Sequence, residues 1–309
     1  MSLYNIGLFI KSRREEMGIS QEELCEGICS VSTLSRIENE RSAPTQKHVL
    51  ALLQRLGYSD VPVFIARDSE SLEIANLQNI IVSDISLKKN AEAQEHLKEL
   101  KKYCKLFDAS DRLHFELMNE ILRVRSGVDN PEQAVIKFEE IIKITHPGYR
   151  RDSLPKVMTH DEIMTINNIA IHLSLAKRND DALQIFLGLI EYYKSKISDP
   201  ELSKKFLPTV YYNASKILGM TQEYDKCIRL CDEGMEYCVN VRRFAEMPHL
   251  LYNKAWCLVR RNLPGDMEIA RKIVKEAYVV DKVFGKKGTL SLNISNLLKD
   301  YFDEKPPEF

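Results

Sequence analysis

A short triplet, asparagine followed by any residue and then a small one, returns along this chain at nearly fixed intervals. It stands at Asn168-Ile169-Ala170 and at Asn213-Ala214-Ser215, 45 residues apart, then at Asn253-Lys254-Ala255 and Asn293-Ile294-Ser295, each 40 further on. The surroundings of the first two also align. INNIAIHLSLAKRNDDALQIF (Ile166 to Phe186) and YYNASKILGMTQEYDKCIRLC (Tyr211 to Cys231) each place a small residue twelve beyond the triplet, Ala182 or Cys227, and a core position four beyond that, Phe186 or Cys231. Self-similarity at such a period confines a chain to a repeat architecture, in which each unit leaves an apolar face that only its neighbour covers. Small residues at facing positions let two antiparallel helices approach closely, so the pattern predicts stacked helical hairpins. Ala134, Phe138 and Ile141 repeat the second-helix pattern upstream, as do Ala93, Leu97 and Leu100. With only 12 Gly and 11 Pro in 309 residues, turn formers are scarce, and an all-α chain is expected.

The first 66 residues read differently. Leu3, Ile6, Ile10 and Arg14 share one side of a first helix that Gly18 closes. Ser20 and Glu23 form a capping box that starts a second, short helix with Leu24 inward. That helix stops near Gly27, and Ser30 can cap a third with Leu34 and Ile37 inward, leaving small hydroxyl side chains and Arg36 outward as a major-groove helix requires. Pro44 and Thr45 open a fourth helix, buried through Val49, Leu52, Leu53 and Leu56 and ended by Gly57.

The stretch ICSVSTLSRIE, from Ile28 to Glu38, resembles the Xre/Cro type of helix-turn-helix in the ICxxSxxSRIE variant of peptide-responsive regulators of the Rgg/PlcR kind, the RRNPP group. The resemblance implies that Gln21, Ser30, Ser32, Thr33, Ser35 and Arg36 contact bases or phosphates of double-stranded DNA, and that Arg14 pairs with Glu38. Two departures stand out. The turn is one residue shorter than in phage repressors, with Ile28-Cys29 where glycine is common. Glu40 replaces the glycine that usually follows Glu-Asn, which transfers the left-handed cap to Asn39. The body resembles tetratricopeptide repeats, although its periods of 40 to 48 residues exceed the usual ~34. The expected organisation is therefore a DNA-binding domain over 1–66 and a helical repeat domain for peptide binding and dimerisation over 67–305.

Asparagine is a poor helix former, so its recurrence needs a reason. An amide offers an acceptor and two donors, enough to pair with the N–H and C=O of an extended peptide. Asn168, Asn213, Asn253 and Asn293 would then form a ladder along the repeats, with Tyr212, Tyr252 and Trp256 as apolar walls and Arg123, Lys216 or Arg260 as partners for a carboxylate. The alternative is that these amides bond between helices and fix the repeat register, with the aromatic residues as ordinary core.

Other chemistry finds little support. The net charge is −1, and the first 58 residues hold seven Lys/Arg against seven Asp/Glu, so any DNA contact must come from local placement. Seven cysteines, an odd number, read as reduced core thiols; Cys25/Cys29 and Cys227/Cys231 lack the second pair a metal site would need. His146, His160, Asp161 and Glu162 lie in or beside the long connection Thr145 to Glu162, yet no His-Glu-x-x-His or glycine-rich phosphate loop occurs. No metal, cofactor or enzymatic activity is expected. No run approaches the roughly 18 apolar residues of a membrane span, which points to a cytoplasmic protein. Gly57 to Ser71 reads as a hinge and the terminal EKPPEF as loose.

Together these features predict a dimeric transcription regulator of a Gram-positive bacterium that binds a palindromic operator and senses a short signalling peptide. The alternatives are an Xre-type repressor whose repeats only dimerise, and a protein-binding adaptor.

Overall fold

A computed structural model describes residues 6–42, 45–58, 69–195, 200–284 and 290–307. Leu3, Pro44 and most of the Gly57 to Ser71 segment lie outside them. The chain divides into two compact units, one comprising 1–185 with 192–200 and the other 186–191 with 201–309.

The first unit begins with four helices: α1 Ile6–Glu16, α2 Gln21–Cys25, α3 Val31–Glu38 and α4 Gln46–Arg55. Their starts are written locally. Ser20 and Glu23 form the reciprocal capping box of α2, Ser30 accepts the Thr33 amide at the start of α3, and Thr45 accepts the His48 amide at the start of α4. Ile6, Ile10, Leu24, Leu34, Ile37, Val49, Leu52, Leu53 and Leu56 close a common core. Two sequence expectations need correction. The residue that turns left-handed after α3 is Glu40, at φ 56°, whereas Asn39 stays at φ −102°. Asn39 remains part of the helix end because its amide donates to the Ser35 carbonyl at 2.7 Å, and the Arg41 amide then reaches back to Arg36 at 2.8 Å to close the turn one residue later. Nor does the turn between α2 and α3 lack its glycine: Gly27 supplies the left-handed conformation there, at φ 66°.

Five further helices of this unit follow, and a sixth has residues 186–191 in the second unit. α5 Ser69–Ser86 pairs with α6 Asn90–Leu100, whose end tightens into a 3-10 turn; α7 Ala109–Arg125 pairs with α8 Pro131–Ile142; α9 His160–Leu175 is followed by α10 Asn179–Lys194. Capping boxes at Asp108/Asp111, Asn130/Gln133 and Thr159/Glu162 fix where α7, α8 and α9 begin. Ala93, Ala134, Ala170 and Ala182 are fully buried, as close helix approach demands.

The second unit contains α11 Pro200–Met220, α12 Tyr224–Asn240, α13 Met247–Arg261, α14 Asp266–Phe284 and α15 Leu290–Phe302. The asparagine triplets fall on α9, α11, α13 and α15, the first helices of successive repeats. Gly234 of α12 lies so close to α11 that an added Cβ would meet Tyr211 Cβ at 2.9 Å. At the end of the described residues, Glu304 pairs with Arg271 and, at 2.7 Å, with Lys275.

Candidate functional site

The outward surface of α3 presents Ser32 and Arg36 exposed, with Thr33 and Ser35 half-buried beside them. Arg36 makes no ion pair among the described residues. Ser30 is engaged internally: besides capping the helix, its hydroxyl lies 2.9 Å from that of Ser32 and 2.8 Å from that of Thr33. Behind this face, Glu38 is completely buried and receives three donors. Arg14 Nε and Nη2 reach its two oxygens at 2.6 and 3.0 Å, and Gln21 Nε2 donates at 2.7 Å. The hydrogen bond that Arg14 donates to Glu38 raises the Arg14 pKa further, so the guanidinium stays charged. Gln21 therefore enters any DNA contact with its NH2 group already committed and its carbonyl oxygen available.

Beneath the head, the connection between α8 and α9 is built into its core. Val157 packs in the same cluster as Leu24 and Leu56. The Gly27 backbone abuts Thr145 so closely that an added Cβ would lie 2.2 Å from the Thr145 carbonyl oxygen. The central group is Arg55, which sequence reading counted only as one of seven basic residues and which is 0% exposed. Its Nη1 donates to the Leu24 and Glu26 carbonyls at 3.0 and 2.6 Å, closing the C-terminus of α2, and its Nη2 reaches Glu162 Oε1 at 2.7 Å. His146 lies within 3.1 Å of both Arg55 Nη2 and Glu26 Oε2, and Lys156 pairs with Glu23 at 2.6 Å. Burial by itself would raise the Glu162 carboxyl, but the Arg55 charge and the His146 bond overcome it and hold Glu162 well below the usual carboxylate range. His146 and Glu162 thus serve as joints, while Asp161 Oδ2 lies 2.8 Å from His114 Nδ1 of α7. Glu162 in addition caps α9, accepting the Thr159 amide at 2.6 Å.

In the second unit, α11, α13 and α15 line a half-open cavity of about 360 Å³. Of the residues singled out for peptide binding, Tyr212, Lys216, Tyr252, Asn253, Trp256 and Asn293 line it. Tyr212 and His249 meet at a tilt of 59° with ring centroids 4.7 Å apart, and Arg260 covers Trp256 at 5.2 Å from outside the cavity. Burial raises the phenol pKa of Tyr212 and Tyr252, which keeps both as neutral hydroxyl donors. No carboxylate lines the space, and Lys216 forms no ion pair among the described residues. Asn253 spends its NH2 group on α11, donating to Ser215 Oγ at 2.9 Å and to the Tyr212 carbonyl at 3.4 Å. One member of the ladder therefore fixes helix register and leaves only its oxygen to a ligand.

The other three selected residues lie elsewhere. Asn168, in the first unit, donates back to Met164 of its own helix at 2.8 Å, Asn213 does not reach the cavity, and Arg123 is clamped by Asp129 at 2.6 Å. Sequence reading missed Ser215, Gly219, His249 and Cys257, which line the cavity too. The missing signal was helical spacing. Positions 212, 215, 216 and 219 form one stripe of α11, and 249, 252, 253, 256 and 257 one stripe of α13.

Comparisons with known proteins give a helix-turn-helix family model matching residues 10–61 and the RNPP family C-terminal domain matching residues 84–296. No curated protein sequence matches significantly. Among solved structures, Bacillus thuringiensis PlcR in complex with the peptide PapR7 and DNA is similar at TM-score 0.54 and 16% identity, covering 97% of this chain and 100% of that one. The same protein in its apo form gives 0.55 at 15% identity, over 91% and 94% of the two chains. The apo form of the competence regulator ComR from Streptococcus vestibularis gives 0.50 at 14% identity, over 97% and 99%.

Proposed function

The chain belongs to the RNPP family, and we propose that it is a non-enzymatic, cytoplasmic transcription regulator whose head binds DNA and whose second unit receives a short signalling peptide. The observation that carries the peptide half is the convergence of Tyr212, Lys216, Tyr252, Asn253, Trp256 and Asn293 on one cavity. Its volume suits part of a peptide, such as an anchoring side chain and a chain end. Aromatic walls take the apolar portion, the Tyr252 hydroxyl and the Asn253 oxygen meet backbone groups, and Lys216 answers a carboxylate in a space without competing acids. Similar PlcR has been seen with both a peptide and DNA, which favours this reading over an adaptor or a repressor whose repeats only dimerise.

The head is small, and two copies on a two-fold operator provide the contacts one lacks, so the protein acts as a homodimer. Peptide then regulates by binding one arrangement of the protein better than another. The test has two arms. Peptides encoded by small reading frames beside the gene are titrated calorimetrically; Lys216→Ala and Trp256→Ala each weaken binding about tenfold or more, whereas Arg123→Ala leaves it unchanged. A palindromic promoter duplex binds two chains with strong salt dependence, and Arg36→Ala abolishes the complex. Peptide binding indifferent to both cavity variants removes the sensing site, and DNA binding indifferent to Arg36→Ala removes the recognition helix.

A further inference from the structure

On the DNA-facing surface of α3, one residue does not match its surroundings. Val31, the first residue of the helix, is 40% exposed, next to exposed Ser32 and just over one turn before exposed Arg36. A β-branched residue there gains nothing in helix propensity, and it is not one of the buried residues of the head core. Isolated exposed apolar residues are common on protein surfaces and need no explanation by themselves. This one sits where base edges would lie, and the major groove presents a single apolar group, the 5-methyl of thymine. The polar neighbours narrow its role further. Ser30 is spent on capping α3, and the hydroxyls of Ser32 and Thr33 already share hydrogen bonds with it.

We infer that Val31 is a specificity-determining residue that reads a thymine methyl in each half-site, while Arg36 supplies the polar contact. This rests on the DNA-binding reading above. Removing the methyl exposes no unsatisfied polar group, so the loss is that of one buried methyl, a factor of about three to five in affinity.

The test uses the full-length protein and duplexes that it selects from a random pool. Thymines of the selected site are replaced one at a time by deoxyuridine, which lacks only the methyl. The native protein loses about three- to fivefold at one thymine in either half-site, and Val31→Ala, which removes the contact from both half-sites at once, binds the thymine duplex about nine- to twenty-five-fold more weakly and no longer distinguishes the two bases there. Alanine is the better helix former, and circular dichroism verifies that the variant keeps its helical content. A native protein indifferent to every replacement, or a Val31→Ala variant as methyl-sensitive as the native one, overturns the inference and leaves DNA binding intact. If no duplex is enriched at all, the DNA-binding reading falls and takes the inference with it.

Discussion

Arg55 shows how much a single buried side chain can organise. Exposed pairs such as Lys98 with Glu95, at 2.7 Å, contribute only a few tenths of a kcal/mol, because solvent screens them and the side chains lose freedom. Arg55 is different: its guanidinium directly bridges the Leu24 and Glu26 carbonyls, a histidine and a carboxylate. Arg55→Leu removes the only permanent cation beside buried Glu162, leaving it His146 alone among its charged partners, and takes the donor from the Leu24 and Glu26 carbonyls. We expect a loss of about 3–5 kcal/mol, read as a fall in the urea midpoint of the first unfolding transition. Combining it with Glu162→Gln recovers part of that loss, since the uncompensated charge carries much of the cost. Strict additivity in that double-mutant cycle would show that the two groups do not interact.

Among elements, the joint between the α2–α3 turn and the α8–α9 connection depends on one missing side chain. Gly27→Ala must hold alanine at φ 66° and drive its Cβ into the Thr145 backbone. Since neither backbone has room to give, the variant should loosen the joint by more than the 1 kcal/mol typical of a strained substitution. Hydrogen exchange of the amides in 143–159 is the measurement, and unchanged protection there would show that the contact contributes little. The elements themselves were largely legible in the sequence. Ser20 with Glu23, Ser30 and Thr45 announced their helices because a cap involves neighbours three residues apart, and the asparagine triplets marked first helices because repetition is a property of the string. What stayed hidden was what only folding brings together. Arg55 and Glu162 are 107 positions apart, and no local pattern tells a buried guanidinium from a solvated one. The cavity residues were picked for their chemistry on a presumed ladder; the packing of α11 against α13 decided which of them meet and turned Asn253 toward Ser215, whereas Asn168 bonds back to its own helix.

For the molecule as a whole, the buried charges of the first unit define a pH window. Although burial resists it, the Asp161 charge at 2.8 Å raises the His114 pKa. A raised histidine contributes stability that is complete below its unfolded value near 6.5 and disappears as pH climbs through its folded value. Glu162 works in the opposite sense. Its depressed pKa gives stability that is complete above the unfolded value of about 4.3 and is lost as pH falls toward the folded one. Resistance to thermal unfolding should therefore be greatest between about pH 4.5 and 6.5 for these two groups, with His114→Gln flattening the alkaline side. A His114→Gln profile parallel to the native one above pH 6.5 would refute the assignment.

Val157 and Glu162 come from a connection about 100 positions downstream, yet they finish the interior of the N-terminal four-helix head. A fragment cut at residue 66 would therefore carry an open wound where Val157 belongs and a guanidinium with no counter-ion, which makes it a poor reagent for footprinting. Grafting this head onto another receptor would have to carry residues 143–162 along with it, so the unit of inheritance here is discontinuous in sequence.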